Sequence, residues 1–360
     1  MRRKFNYFLF FSAQNVTYIL YFCRMDIDFN SYDRLFVLTD TTTRQLCWPL
    51  LQEEPALAKA NLITIESTDT HKDLDSLSTV WKALQEGGAT RHSLLLNLGG
   101  GMVTDLGGFA AATFKRGISF VHIPTTLLAM VDASIGGKTG INFGGLKNEI
   151  GVFCPPKDIV LDARFLSTLD QPNFLSGYAE MLKHGLLSST SHWAELLTFN
   201  LDQPDLGQLQ RLIQQSVDFK RKIVTEDPTE KGIRKALNLG HTVGHAFESL
   251  ALSQQRPILH GYAVAWGLVC ELYLSAKYLS FPKDKLQQTI QFVRENYGVF
   301  VFDCKCYEHL YELMQHDKKN ISSHIRFSLL EEIGKISLDQ EFKKDEIFDM
   351  LDFYRESMGC

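Results

Sequence analysis

Two histidines four residues apart, His241 and His245, stand in the run Asn238-Leu239-Gly240-His241-Thr242-Val243-Gly244-His245, and His260 follows in Leu259-His260-Gly261. On a helix, residues i and i+4 lie one turn apart on one face, and imidazole is the commonest metal ligand near neutral pH. Such a pair, with a third histidine beyond a loop, can clamp a cation. Taken alone it reads equally well as two helical histidines satisfied by neighbouring backbone. Gly240 and Gly244 are expected on an adjacent face, leaving room for a ligand or a second backbone. Upstream, Ser176-Gly177-Tyr178-Ala179-Glu180-Met181-Leu182-Lys183-His184-Gly185 predicts one helix with Glu180, Lys183 and His184 on a common face. In isolation, Glu180 and Lys183 would be a surface ion pair. Beside helical histidines, Glu180 becomes the carboxylate of a His/His/Glu site, and three protein ligands leave the open position of catalytic zinc. A cation there polarises a hydroxyl or carbonyl. Lys220 and Arg234 would add positive charge for an anionic substrate.

Two glycine-rich stretches come earlier. Gly99-Gly100-Gly101-Met102-Val103-Thr104-Asp105 follows an apolar strand pattern and opens a helical one, a place where backbone N–H groups can meet a pyrophosphate. The spacing is not the GxGxxG fingerprint, and a tight turn without any ligand fits it too. Gly136-Gly137-Lys138-Thr139 resembles the end of a P-loop, but the earlier glycine of GxxxxGKT is absent. Lys138 and Lys147-Asn148 place cationic and amide donors on flexible backbone, suited to phosphate or carboxylate.

Alternating strands and helices must hold these turns. Apolar runs at 34–40, 62–65, 93–98, 119–123 and 158–161, with a helical pattern over 74–84 ended by Gly87-Gly88, predict a parallel α/β sheet. Beyond Pro172 the patterns are long and helical, as at 206–224 and 262–279. At 360 residues the chain exceeds one core. The expected organisation is an N-terminal extension over 1–24, an α/β nucleotide-binding domain over 25–170 and a mainly α-helical domain over 171–360. Arg2-Arg3-Lys4 ahead of Phe5 to Phe22 imitates an export signal. Polar residues interrupt that run and make it unsuited to spanning a bilayer, so it is read as an upstream extension or as a misassigned start, with Met25 the initiator in the second case. A net charge of −5 argues against nucleic acid as the main partner. Seven scattered cysteines without a CxxC suit a reducing cytoplasm.

Together these motifs resemble the 3-dehydroquinate synthase family, from about Asp40 to about Lys335. The carriers are Gly99-Gly100-Gly101 with Asp105, Arg116-Gly117, Pro124-Thr125-Thr126, Val131-Asp132, Gly136-Gly137-Lys138-Thr139 and Lys147-Asn148. Then follow Ala179-Glu180 with Lys183, Asn238 to His241, His245, His260-Gly261 and Asp317-Lys318-Lys319. The resemblance implies zinc or cobalt on Glu180, His241 and His260, with His245 facing substrate instead. It implies NAD contacts from Asp40, Gly100, Gly101, Met102, Val103, Thr104, Asp105, Thr125, Thr126, Lys138, Lys147, Phe165, Leu166, Ser167 and Thr168. Asp69 and Lys72 stand where the family carries Gly-Glu-x-x-Lys at the nucleotide, with the charge on a shorter arm.

Substrate contacts are implied for Asp132, Lys138, Asn148, Lys183, Lys220, Arg234, Asn238 and His245, and for one of Lys318 and Lys319. Arg116 would reach across a homodimer. The implied activity is a cytoplasmic carbon–oxygen lyase that turns a phosphorylated sugar acid into 3-dehydroquinate in the shikimate pathway. Two neighbouring readings stay open: another sugar-phosphate cyclase, such as a 2-deoxy-scyllo-inosose or valiolone-type synthase, and an iron-type polyol dehydrogenase that would release NADH.

Overall fold

The computed structural model describes residues 27–315 and 325–360, together with the paired antiparallel strands β1 (Phe8–Phe10) and β2 (Tyr18–Leu20). The readings of an extension over 1–24 and of Met25 fall mostly outside the described residues, and Lys318 and Lys319 lie outside them altogether. Among the described residues no helix is long and apolar enough to cross a membrane. The chain divides into two compact units, Met1–Leu169 with Asp205–Arg211, and Asp170–Pro204 with Leu212–Cys360.

The first unit runs β3 (Leu35–Asp40), α1 (Thr41–Leu46), α2 (Trp48–Leu51), β4 (Asn61–Ile65), α3 (Leu74–Glu86), β5 (Leu94–Gly99), α4 (Gly101–Thr113), β6 (Ser119–Pro124), β7 (Lys138–Phe143), β8 (Leu146–Phe153) and β9 (Asp158–Ile159). One parallel sheet has the order β4-β3-β5-β6-β9. β5 is buried along its whole length, as a strand covered on both faces must be. α3 starts at Asp73, whose carboxylate accepts the Ser76 N–H (2.8 Å), and buries Leu77, Val80 and Leu84 at helical spacing. The chain steps from β3 outward to β4, then returns to the far side of β3 for β5. That reversal makes the C-terminal ends of β3 and β5 a switch point, where such sheets leave a ligand crevice. Asp40 ends one of these strands and the glycine run follows the other.

The stretch carrying Lys138, Lys147 and Asn148 is not flexible loop, which corrects the expectation. It is an antiparallel hairpin, β7 with β8, paired from Lys138–Phe153 to Phe143–Leu146. Gly144 and Gly145 both take positive φ (59° and 81°), which a two-residue type I′ turn demands.

The second unit holds α5 (Gln171–Ser188), α6 (Thr190–Thr198), α7 (Leu206–Glu226, from Leu212 onward), α8 (His241–Ser253), α9 (His260–Tyr278), α10 (Lys283–Tyr297), α11 (Tyr307–Gln315), the hairpin β10 (Arg326–Glu332) and β11 (Lys335–Glu341), and α12 (Lys344–Met358). Asp170 caps α5 by accepting the Asn173 N–H (2.8 Å), and Pro172 sits in the first turn, where a missing N–H costs nothing. α9 is mostly apolar and buried from Gly261 to Ser275, with Glu271 as a buried carboxylate among its apolar residues. The β10–β11 hairpin is an addition to the helical expectation. Helices meet backbone to backbone at glycines: a Cβ on Gly261 would lie 1.9 Å from the Ser176 carbonyl oxygen, and one on Gly244 2.9 Å from that of Ala263.

Candidate active site

The second unit gathers three of the expected ligands. Glu180 is fully buried on α5, His241 is the first residue of α8, and His260 is the first of α9. The Nε2 atoms of His241 and His260 face Glu180 Oε1 at 3.3 and 3.5 Å. Candidate ligand atoms of all three residues lie within 4.8 Å of one another. Both rings have the other nitrogen engaged: His241 Nδ1 donates to the Leu239 carbonyl (3.1 Å) and His260 Nδ1 to Glu248 Oε2 (3.0 Å). That fixes the tautomer of a ligating histidine, with the Nε2 lone pair turned inward. Two lone pairs aimed at a carboxylate oxygen repel unless a proton or a cation lies between them. The residues therefore fit a divalent metal.

Electrostatics agree. Burial raises the Glu180 carboxyl, but the Lys183 ammonium and His241 outweigh it and hold the group well below the usual carboxylate range. Lys183, almost fully buried one turn along α5, forms an ion pair with Glu180 Oε2. Burial and Lys183 drive His241 down to about 3, leaving it neutral. Burial would lower His260 as well, yet Glu248 and Glu180 push it up to about 10.

His245 lies beside the pair, its ring centroid 5.3 Å from that of His241 and 5.8 Å from that of His260. Gly240 is not on the helix face as expected; it precedes α8 with φ 79°, a left-handed conformation that glycine adopts freely. Arg234 and Asn238 share a short 3-10 turn, Ile233–Asn238. Arg234 is buried and donates to the Pro228 carbonyl (2.6 Å), while Asn238 Nδ2 donates to Glu230 Oε1 (3.2 Å). The Asp227 carboxylate accepts the N–H groups of Lys231, Gly232 and Arg234 at 3.0, 2.7 and 3.1 Å. Lys220 is buried on α7. Asp227, Glu230 and Glu248 were not anticipated; each stands near an expected residue in sequence, but only the fold shows which group it grips.

The first unit joins a second set. Buried Lys72 donates to Asp105 Oδ2 and to Asn148 Oδ1, both at 2.5 Å. Asn148 has φ 52°. Asn142, which sequence reasoning passed over, ties the group together: Nδ2 donates to the Asp69 carbonyl (2.9 Å) and Oδ1 accepts the Asn148 N–H (2.9 Å). Lys147 Nζ lies 3.5 Å from Asp69 Oδ2, both side chains exposed. Gly100 caps α4 without a side-chain bond, and the first N–H groups of a helix, which have no partner within it, suit an anion.

The neighbouring glycines serve packing instead. A Cβ on Gly99 would lie 2.6 Å from Val103, and one on Gly107 2.1 Å from Asn97 Oδ1. Val103 and Thr104 are buried, and the Thr104 N–H already donates to Gly100 (3.0 Å). Asp40 Oδ1 caps α1 through the Thr43 N–H (2.7 Å), and Thr126 Oγ1 accepts the Ala129 N–H (3.1 Å). Thr125 is buried and Met102 partly so; Asp132 lies within a π-helical turn, Ala129–Ala133. Lys138 and Arg116 are exposed. Phe165 and Leu166 are buried in the turn Ala163–Thr168, where Ser167 and Thr168 hydroxyls donate to backbone of the same turn.

A parallel α/β unit and a mainly helical unit are the fold shared with the sugar-phosphate cyclases. The chain resembles 2-epi-5-epi-valiolone synthase from Streptomyces hygroscopicus with NAD+ and Zn2+ bound (TM-score 0.80, 26% identity, 91% of each chain). It also resembles 2-deoxy-scyllo-inosose synthase complexed with carbaglucose-6-phosphate, NAD+ and Co2+ (TM-score 0.80, 22% identity, 92% of each chain). Residues 62–176 match the 3-dehydroquinate synthase N-terminal family, and residues 177–320 match its C-terminal counterpart. A 3-dehydroquinate synthase of Parabacteroides distasonis is 55% identical over 328 residues, 91% of this chain and 93% of that protein. The chain belongs to the 3-dehydroquinate synthase family.

Proposed function

We propose that this chain converts 3-deoxy-D-arabino-heptulosonate 7-phosphate into 3-dehydroquinate and inorganic phosphate, with NAD regenerated in each cycle. The observation that carries the reading is the convergence of Glu180, His241 and His260, each imidazole already tied at Nδ1. Bound by these three, zinc or cobalt supplies Lewis-acid polarisation of substrate oxygens, and NAD supplies a reversible hydride acceptor. On this reading the substrate would lose its phosphate by β-elimination and close its carbocycle by an intramolecular aldol, with the protein's groups holding it in place.

The chain's own groups bind and orient. Lys183 keeps Glu180 ionised. His245 holds or passes a proton at the reacting oxygens. In the second unit Lys220, Arg234 and Asn238 offer cationic and amide donors suited to an anionic substrate, and in the first unit Lys138, Asp132 and Asn148 offer charged and polar groups of the same use. In the first unit the α4 N-terminus receives the pyrophosphate of NAD, with Asp69, Lys72, Asp105 and Lys147 around the nucleotide.

A cytoplasmic homodimer belongs to the same reading. β8 is exposed along its length, and Phe143, Leu146, Ile150 and Val152 are exposed on this hairpin. A second copy would cover these apolar side chains while Arg116 reaches the neighbouring substrate. The test is purified protein with the heptulosonate phosphate, NAD and Co2+. Phosphate and 3-dehydroquinate should form in equal amounts without net NADH, and a chelator should stop both. NADH accumulating without phosphate would mark a polyol dehydrogenase and overturn the reading.

A further inference from the structure

Gly240 has no side chain with which to cap α8, and the N–H groups of a first helical turn have no partners within the helix. A carboxylate from another helix meets them. Glu271, fully buried on α9, accepts the Gly240 N–H at Oε2 (2.6 Å) and the Val243 N–H at Oε1 (3.2 Å). Its charge at the start of the helix also suits the helix dipole. These two donors bracket His241. The helices touch at the same place, since a Cβ on Gly267 would lie 2.0 Å from the Gly240 carbonyl oxygen. The turn that delivers His241 is thus clasped to the helix that carries His260.

We propose that Glu271 is a positioning residue for the cation site. It holds the turn from Gly240 to Val243 so that His241 Nε2 faces Glu180 Oε1 before any cation arrives. The proposal rests on the reading of Glu180, His241 and His260 as metal ligands.

Its test is Co2+ binding to the chelator-stripped full chain and to E271A, E271Q and E180Q, by chelator competition, the Co2+ absorption spectrum and thermal melting. E271A should weaken Co2+ binding by up to roughly 10-fold, the lower end of the loss seen when a group bonded directly to a ligand is removed, because Glu271 acts through the Gly240–Val243 backbone, and it should alter the spectrum. E271Q keeps one acceptor oxygen and should fall between. A residue that merely stabilises α8 would lower the melting temperature and leave the Co2+ affinity and spectrum of the folded protein unchanged; that result in both variants overturns the proposal. Should E271A not fold, E271Q decides alone by the same criterion. If E180Q binds Co2+ as tightly as the unaltered chain, the metal reading itself fails, and the proposal falls with it.

Discussion

Without metal, the Glu180–His241–His260 cluster should hold one proton, and a divalent cation must expel it. His241 is neutral across the physiological range, driven down to about 3 by burial and Lys183. Glu180 is ionised, burial being outweighed by Lys183 and His241. His260 alone is protonated, because Glu248 and Glu180 overcome burial and carry it up to about 10. From the carboxylate range up to about pH 10, metal binding should therefore release about one proton, and the apparent Kd should fall about tenfold per pH unit. At about pH 7 it should stand about a thousandfold above its high-pH limit, the difference of 10 − 7 = 3 units. An ordinary imidazole would give no slope above about pH 7. Chelator-competition titrations with Co2+ between about pH 7 and 8.5, with calorimetry in buffers of different ionisation enthalpy, measure both quantities. Glu248→Gln, which removes the largest charge raising His260, should flatten the slope. A Kd that is constant over this window in the unaltered protein, with no proton released, refutes the reasoning.

Further outcomes follow from the same contacts. Thermal melts of the metal-free protein should show stability falling on both flanks. The raised His260 stabilises fully below about 6.5 and loses this as pH rises through about 10, while the lowered His241 stabilises above 6.5 and loses this as pH falls towards about 3. His260→Ala should abolish metal-dependent phosphate release with circular dichroism unchanged, since its ring is 30% exposed and leaves little cavity; near-normal turnover in metal-depleted buffer would count against the site. Asn142→Ala removes two side-chain hydrogen bonds, about 1–2 kcal/mol in all, and should weaken NAD binding by roughly 5- to 30-fold in a fluorescence titration. Gly267→Ala forces a methyl against the Gly240 carbonyl, and should cost about 1–3 kcal/mol of stability in a denaturant melt.

How much of this was legible depends on where each residue's partner lies. The strands of the first sheet were readable because their apolar runs are local, whereas residue types alone pointed to His241 and His245 as a ligand pair, and the set Glu180, His241 and His260 came only from the family resemblance. The β7–β8 hairpin was missed although Gly144-Gly145 between apolar residues is a hairpin signal; the glycines read as looseness. The glycines at 99 and 107 were legible as glycines but not as to purpose, Gly244 was expected to admit a second backbone and does so, and Gly267 was not singled out. What they avoid is Val103, Asn97, Ala263 and the Gly240 carbonyl, neighbours that, apart from Val103, chain folding alone brings near.

The acidic residues make the same point more sharply. Glu248 lies 12 residues from the histidine it grips, and Glu271 lies 31 from Gly240, so neither spacing forms a motif. Types and short spacings reveal which atoms could ligate. Whether those atoms are aimed is decided by carboxylates whose partners are remote, and buried acids without a local role are therefore where a sequence reading of such a site should look next.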